Sequence, residues 1–166
     1  MSTDGTLEIS GDTSTLRFER RLAHPVERVW SALTDPDEIE AWLAHAELDL
    51  VQGGRVELRW LNTDEDGNTA IARGTVSQLD PPRLLELDTD IHGVLRWELA
   101  PDGDATELTF TVVNAMPEEY RTKVIAGWHV HLDFLEDWLT GERVDWPNWP
   151  KDRWDAIHDR YVATLA

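Results

Sequence analysis

The residues whose spacing most suggests chemistry are His129 and His131, in the stretch GWHVHLDFLEDWL at residues 127–139. Two imidazoles one residue apart can share a metal ion or a proton only if both point to the same side of the chain. Side chains i and i+2 share a face on a strand but point about 200° apart on a helix. Helical spacing connects the apolar residues of this region, which are Val124, Trp128, Leu132, Leu135 and Leu139. We therefore predict a helix, on which the two histidines cannot bind one ion.

The predicted helix places the two histidines in different environments. His129 falls on the polar side near Asp133 and Glu136, where we expect it to be solvated. His131 falls on the apolar side, one helical step from Trp128. An imidazole facing a cavity there could orient a ligand or act as a general acid or base, and a hydrogen-bonded core histidine is the alternative. Catalytic residues stay unknown, with His131 as the one candidate.

A second motif imitates a calcium-binding loop. The stretch NTDEDGNTAIAR, residues 62–73, has oxygen ligands at alternate positions and Gly67 at the sixth. Arg73 occupies the last position, where such a loop needs a bidentate glutamate, so we interpret the stretch as a β-hairpin turn. The sequence also has no P-loop, dinucleotide-binding glycine pattern or nucleophile elbow. We therefore predict no metal and no cofactor.

Composition limits the class of protein. The chain has 166 residues, of which 41% are hydrophobic, and this length is typical of one domain with a substantial core. Its formal net charge of −18 disfavours nucleic acid and anionic membrane surfaces as partners. The absence of cysteine excludes disulfides, thiolate metal sites and thiol nucleophiles. The polar start has no signal-peptide pattern and no apolar run reaches membrane-spanning length, so we expect a cytoplasmic protein.

The spacing of apolar residues also predicts the strands and helices that precede the histidine-bearing helix. After a flexible tail at residues 1–14, alternation at 15–22 predicts a strand, and apolar spacing at 24–43 predicts two short helices. From Ala46 to Asn114 the period changes to two, and turn signals separate about six runs. This region is typical of an antiparallel meander.

The C-terminal part is predicted to be helical. The long helix follows Pro117, and the stretch DWPNWP interrupts it before a last amphipathic helix. Residues 15–144 form the predicted domain, and residues 145–166 form an extension packed on the same domain. Trp146 and Trp149, set between prolines, are our candidates for a lid over the mouth of a cavity.

This order of elements predicts an α+β protein with a helix-grip fold, in which the long helix lies across the apolar face of a curved antiparallel sheet. The space between sheet and helix is a natural ligand cavity. The spacing along the strands and the helix predicts that several bulky side chains point into this cavity. We predict that these residues line the cavity: Trp60, Trp97, Trp128, His131 and Leu135.

Three segments of the chain also carry a family resemblance. They are HPVERVWSALTDPDEIEAWL at 24–43, GGRVELRW with GTVSQLDPPRLLEL between 53 and 87, and GWHVHLDFLEDWL at 127–139. In this order they resemble the activator of heat-shock-protein-90 ATPase-like family of the SRPBCC or START-like superfamily, which includes polyketide cyclases and birch allergens. The resemblance implies the helix-grip fold and a central cavity that commonly takes apolar or amphipathic small molecules. It does not fix an activity.

The leading functional prediction is the binding of a small apolar or amphipathic molecule in the cavity, with His131 as a polar anchor. One alternative is a cyclase or hydrolase that uses the same cavity, with His131 as its general acid or base. Another is a cochaperone-like module that binds a protein partner through its acidic surface and last helix. A homodimer through the last helix is also open.

Overall fold

The computed structural model describes residues 3–62 and 67–165, and this part of the chain contains one sheet of eight strands. In chain order the strands are β1 Thr6–Ser10, β2 Thr13–Leu22, β3 Ala44–Leu48, β4 Arg55–Trp60, β5 Ile71–Asp80, β6 Leu84–Thr89, β7 Gly93–Asp102 and β8 Ala105–Asn114. Across the sheet the order is β1-β2-β8-β7-β6-β5-β4-β3, and all neighbours are antiparallel. The strand β2 therefore lies beside β8, the last strand of the meander.

Helices carry the chain from one edge of the sheet to the other and then across its face. They are α1 Val26–Thr34, α2 Pro36–Trp42, α3 Arg121–Leu139 and α4 Lys151–Leu165. The junction of α1 and α2 is set by Asp35, whose carboxylate accepts a hydrogen bond from the Asp37 amide at 3.0 Å. Pro36 suits the first position of α2, where no amide proton is needed. This pair of short helices connects β2 to the far edge strand β3.

Helix α3 is packed on two sides. One side contacts the sheet, where alternate residues such as Phe18 and Phe110 are fully buried. On α3 itself Ile125 and Leu135 are fully buried as well. The other side is covered by α4, on which Tyr161 is 1% exposed. The helix-grip prediction is thereby confirmed, together with the six-strand meander and the two short helices after the first long strand.

The N-terminal segment differs from the prediction of a flexible tail. Residues Thr6–Ser10 form β1 and pair with β2, in the register Thr6↔Arg17 to Ser10↔Thr13. Most side chains of β1 are exposed, and Ile9 is 44% exposed. Backbone pairing with β2 holds this edge strand, and its alternation, Leu7 and Ile9 alone, is too short to predict a strand.

The stretch that imitates a calcium loop lies between two paired strands. Residues 63–66, which carry most of its oxygen ligands, lie outside the described residues. The strands on either side, β4 and β5, are antiparallel neighbours, with Arg59 opposite Ile71. That pairing agrees with a β-hairpin.

Gly74 on β5 gives the first prediction, because a Cβ built there would lie 1.9 Å from the Asp88 carbonyl oxygen. We expect Gly74→Ala to force β5 and β6 apart and to lower the free energy of unfolding by about 2 kcal/mol. Gly127 on α3 is the matched control, since its Cβ would meet only Trp154 Nε1, at 3.9 Å. Gly127→Ala should raise the free energy of unfolding by about 1 kcal/mol through helix propensity. Urea denaturation measures both, and equal stability of Gly74→Ala and the parent would contradict the prediction.

Candidate ligand site between the sheet and helix α3

Six rings from the sheet and α3 meet in the interior and form what we call the ring cluster: Trp60, His92, Trp97, Phe110, Trp128 and His131. The ring centroid of Trp128 lies 5.8 Å from that of Trp60 and 5.1 Å from that of Phe110. Trp97 joins by stacking on Phe110 at 4.7 Å. These separations are typical of attractive aromatic pairs. The structure thus brings together four of the five residues predicted to line the cavity, and the fifth, Leu135, is fully buried on α3.

Strand register and helical spacing place these rings. Trp97 on β7 lies opposite Phe110 on β8, and both belong to the buried set of their alternating strands. Trp60 is the last residue of β4, 9% exposed. Trp128 and His131 are three residues apart on α3, so they share the side that faces the sheet. The rings occupy the space that the sequence analysis predicts as a cavity.

His131 has a fixed orientation and no charge at neutral pH. Its Nδ1 lies 3.0 Å from the carbonyl oxygen of Trp42, at the end of α2. A carbonyl only accepts hydrogen bonds, so Nδ1 carries the proton and Nε2 is the acceptor of the neutral ring. Burial lowers the pKa of His131 from 6.5 to about 4. His131 can therefore accept a hydrogen bond from a ligand hydroxyl at Nε2.

His92 is a member of the ring cluster that sequence reasoning missed. It lies in the turn between β6 and β7, with its ring centroid 4.6 Å from that of Trp60 and 5.7 Å from that of Trp128. Burial lowers the pKa of His92 from 6.5 to about 4. Gly93, with a positive φ of 76°, marks the turn in the sequence. Turn residues follow neither the strand nor the helix period, so no pattern could show that this imidazole points inward.

Several buried polar atoms in and beside the ring cluster have no hydrogen-bond partner within the described residues. They are Trp97 Nε1, His92 Nε2, Asn62 Oδ1 and Asn114 Oδ1. The amide nitrogen of Asn114 does have a partner, the His92 carbonyl oxygen at 3.3 Å. Buried polar atoms nearly always have partners, and leaving one without costs about 1–3 kcal/mol. A ligand oxygen that accepts a hydrogen bond from Trp97 Nε1 would remove the cost of that atom.

His129 is not solvated, and that prediction is wrong. The residue is 2% exposed because Tyr161 of α4 covers it, with the phenol oxygen 2.7 Å from His129 Nδ1. The amide of Gly5 donates to the same oxygen at 2.7 Å, which directs the phenol proton toward His129. Burial raises the pKa of Tyr161 to about 12, so the phenol keeps its proton. The helical period of α3 shows its polar side but not that α4 returns to cover it.

Arg20 lies at the centre of a cluster of polar side chains on the side of α3 that carries His129. Although only 2% exposed, it donates from Nη1 to Asp133 Oδ1 at 2.9 Å and to Glu136 Oε2 at 3.0 Å. The other oxygen of Asp133 lies 3.6 Å from His129 Nε2. Burial raises the pKa of Glu136, which the Arg20 guanidinium opposes. Arg20 thus neutralises part of the acidic face of α3. The described residues contain no group of three His, Asp or Glu side chains placed to bind a metal.

An open pocket lies beside the ring cluster, at a segment that we call the strap, residues 141–150. The strap joins α3 to α4 and includes a single turn of 3-10 helix, Trp146–Asn148. The pocket, which we call the strap pocket, has a volume of about 530 Å³ and is lined by Glu40, Leu61, Arg143, Trp146, Pro147 and Trp149. The Trp146 ring centroid lies 6.1 Å from that of His131, so Trp146 stands between the strap pocket and the ring cluster. Both tryptophans predicted to form a lid line this pocket.

A family model described as Activator of Hsp90 ATPase homolog 1-like protein matches residues 23–140. The match includes all six residues of the ring cluster and ends before the strap and α4. A search of curated proteins finds no match. No helix in the described part of the chain combines the length and hydropathy needed to cross a membrane.

Solved structures share the fold over nearly the whole chain. The crystal structure of CalU16 from Micromonospora echinospora has a TM-score of 0.71 at 24% identity, covering 98% of this chain and 98% of that one. The protein encoded by gene BPP1335 of Bordetella parapertussis has a TM-score of 0.70 at 28% identity, covering 95% of this chain and 88% of that one. EF2215 of Enterococcus faecalis, a conserved protein of unknown function, has a TM-score of 0.69 at 19% identity, covering 97% and 90%. These chains also resemble this one in the strap and α4, since the coverage extends beyond the family match.

The low pKa of His131 predicts a loss of stability in acid. The unfolded chain takes up a proton near pH 6.5, whereas the folded protein resists it until about pH 4. Stability from the neutral ring is therefore present above pH 6.5 and falls as the pH drops toward 4, by about 2 kcal/mol between pH 7 and 5. His131→Gln, which can still donate to the Trp42 carbonyl, should reduce the measured drop by about that amount.

Urea denaturation at the two pH values measures the difference. His45→Gln is the control, because the side chain of His45 is 52% exposed. Because His45 lies on the surface beside Glu40 and is not buried, its replacement should not reduce the drop. A drop in His131→Gln that equals that of the parent would contradict the pH prediction.

Tyr161 gives a second prediction for this region. Tyr161→Phe removes one oxygen and leaves the Gly5 amide and the buried His129 Nδ1 without their partner. We expect the free energy of unfolding to fall by about 2 kcal/mol. Val162→Ala, the next position on α4 and 41% exposed, should change it by less than about 0.5 kcal/mol. A Tyr161→Phe protein as stable as the parent would show that this network adds nothing to stability.

Proposed function

This chain belongs to the Activator of Hsp90 ATPase homolog 1-like family, and we propose that it binds a small apolar or amphipathic molecule between the sheet and α3. The observation that carries the proposal is the set of buried polar atoms without partners in an otherwise aromatic interior. A core that only had to pack would place phenylalanine or leucine at such positions, since the polar atoms are costly.

The chemistry of the ring cluster indicates which end of a ligand it recognises. Trp97 Nε1 is a hydrogen-bond donor, and His131 Nε2 is an acceptor because its other nitrogen serves the Trp42 carbonyl. Each suits a hydroxyl group on an apolar ligand, because a hydroxyl can accept from Trp97 Nε1 or donate to His131 Nε2. Neither imidazole of the cluster is protonated at pH 7, so a neutral ligand fits better than a carboxylate.

Binding requires the ring cluster to open. Trp60 and Trp128 are at most 9% exposed and meet edge to face, with centroids 5.8 Å apart. A ligand inserted between the sheet and α3 takes over the contacts that these rings make with each other. Side chains that change rotamer on binding are common, and the cost lowers affinity without preventing binding.

The enzyme alternative depends on His131. A general base works best when its pKa lies near the working pH, and burial holds this pKa near 4. His131 therefore suits ligand anchoring better than proton abstraction at neutral pH. A chaperone partner, a homodimer and a cytoplasmic location stay proposals from the sequence, and none of the contacts described above favours them.

We expect neutral apolar alcohols to stabilise the protein more than acids of equal size. Farnesol and 2-naphthol should raise the melting temperature in a saturable way, whereas decanoate should have less effect. A ligand at a hundred times its dissociation constant adds about 2.7 kcal/mol, a rise of roughly 5–10 °C for a chain of this length. Differential scanning fluorimetry measures the rise.

Two variants test whether the ring cluster is responsible. Trp97→Phe keeps a ring against Phe110 but removes the Nε1 donor, so affinity should fall about fivefold. Trp154→Phe on α4 is the control and should bind as the parent does. A flat response to all three compounds, or an equal response in Trp97→Phe, would reject the proposed function.

A further inference from the structure

We propose that the strap pocket is a second ligand site, for a planar aromatic molecule that carries one anionic group. The proposal rests on residues outside the ring cluster and does not depend on the function proposed above. Its support comes from three properties of the pocket. They are a fixed wall, two indole side chains in the lining, and a guanidinium that has no hydrogen-bond partner among residues 3–62 and 67–165.

The strap is fixed to α2 by two hydrogen bonds. The Val144 amide donates to the Ala41 carbonyl oxygen at 2.9 Å, and Trp146 Nε1 donates to the Glu40 carbonyl oxygen at 2.7 Å. Within the strap, the Trp149 amide donates to the Trp146 carbonyl oxygen at 3.3 Å. A pocket whose wall is already fixed loses little conformational entropy when a ligand binds.

The walls are aromatic and the volume suits a small molecule. Trp146 and Trp149 are both half-buried, and Pro147 lies between them in the chain. The Trp146 ring centroid also lies 6.2 Å from that of Phe134, at right angles, which supports it from the inner side. Small-molecule sites typically measure about 300–1,000 Å³, and the strap pocket has about 530 Å³. Flat aromatic ligands stack well on indoles and prolines held in this way.

Arg143 supplies the charge. Its side chain is 54% exposed, and within the described part of the chain its ion pair is with Glu40, whose Oε2 lies 3.8 Å from Nη2, beyond hydrogen-bond distance. Glu40 Oε1 lies 3.0 Å from His45 Nδ1. The guanidinium therefore keeps donors in a planar fork that matches a carboxylate or sulfonate.

The charge of the whole protein limits the ligand to one negative group. A net charge of −18 repels polyanions such as nucleoside triphosphates. At physiological salt, charges more than about 8 Å away are largely screened, so a single sulfonate or carboxylate beside Arg143 meets mainly the local field. Asp137, Glu142 and Asp145 line a neighbouring pocket together with Arg143, so the surroundings of the guanidinium are acidic. A ligand with one negative group placed directly on the guanidinium fits there, and a ligand with several does not.

The probe for this site is 1-anilinonaphthalene-8-sulfonate, whose fluorescence rises on transfer to an apolar environment. We expect saturable binding at one site per chain at pH 7 and about 0.15 M salt. Its neutral analogue N-phenyl-1-naphthylamine has the same rings without the sulfonate and should bind about tenfold more weakly. Equal affinity of the two would overturn the anionic part of the proposal.

Variants locate the probe. Arg143→Gln and Trp149→Ala should each weaken the sulfonate dye about tenfold, and Arg143→Gln should make the two dyes bind alike. Arg83→Gln is the matched control, since its side chain is 66% exposed and paired with Asp80 in the β5–β6 turn. It removes the same charge and should leave binding unchanged.

Three results would overturn the proposal. No binding up to about 1 mM dye, or binding that Arg143→Gln and Trp149→Ala leave intact, rejects a site in the strap pocket. Binding that Trp97→Phe weakens and Arg143→Gln does not places the dye in the ring cluster, which would leave the proposed function standing while rejecting this one. Arg143 lies on the surface, so its replacement tests the site without disturbing the core.

Discussion

Helix α3 is packed between the sheet and α4, and this burial on two sides determines the surroundings of His129, His131 and Asp133. On the sheet side, His131 Nδ1 donates a hydrogen bond to the Trp42 carbonyl oxygen. On the α4 side His129 is bound by Tyr161, and Asp133 is bound by the buried Arg20. A buried polar group without a hydrogen-bond partner costs about 1–3 kcal/mol, and the free energy of unfolding of a whole domain is only about 5–15 kcal/mol. The hydrogen bonds around α3 therefore offset much of the cost of burying these side chains, although Arg20 Nε and Nη2 have no hydrogen-bond partner within the described residues.

Much of this arrangement could be predicted from periodicity, because periodicity reports which side of an element is buried. Helical spacing separated His129 from His131, and strand alternation turned Trp60 and Trp97 inward. What could not be predicted depends on a second element arriving from elsewhere in the chain. His129 has a polar neighbourhood in the sequence and becomes buried only because α4 returns to it.

Two further features were hidden for different reasons. The turn that carries His92 follows no period, so the direction of its ring had no signature. The strand β1 is held by backbone bonds at an edge, and its two alternating apolar residues, Leu7 and Ile9, form too short a pattern to predict a strand. At both sites the local sequence favours no particular structure, and contacts with a neighbouring strand determine the conformation. The family match covers the ring cluster but stops before Arg143, so sequence similarity of that kind gives no guidance on the strap pocket.

The order of strands has a consequence for the time course of synthesis. β2 pairs with β1 at once, but its other neighbour is β8, and the facing residues Phe18 and Phe110 are about 90 positions apart. A ribosome needs roughly 5–20 s to add that many residues. During this interval β2 has one open edge, which is a surface on which nascent chains can associate wrongly. The ring cluster also needs His131 of α3, so the centre of the protein is assembled only after nearly four fifths of the chain has been made.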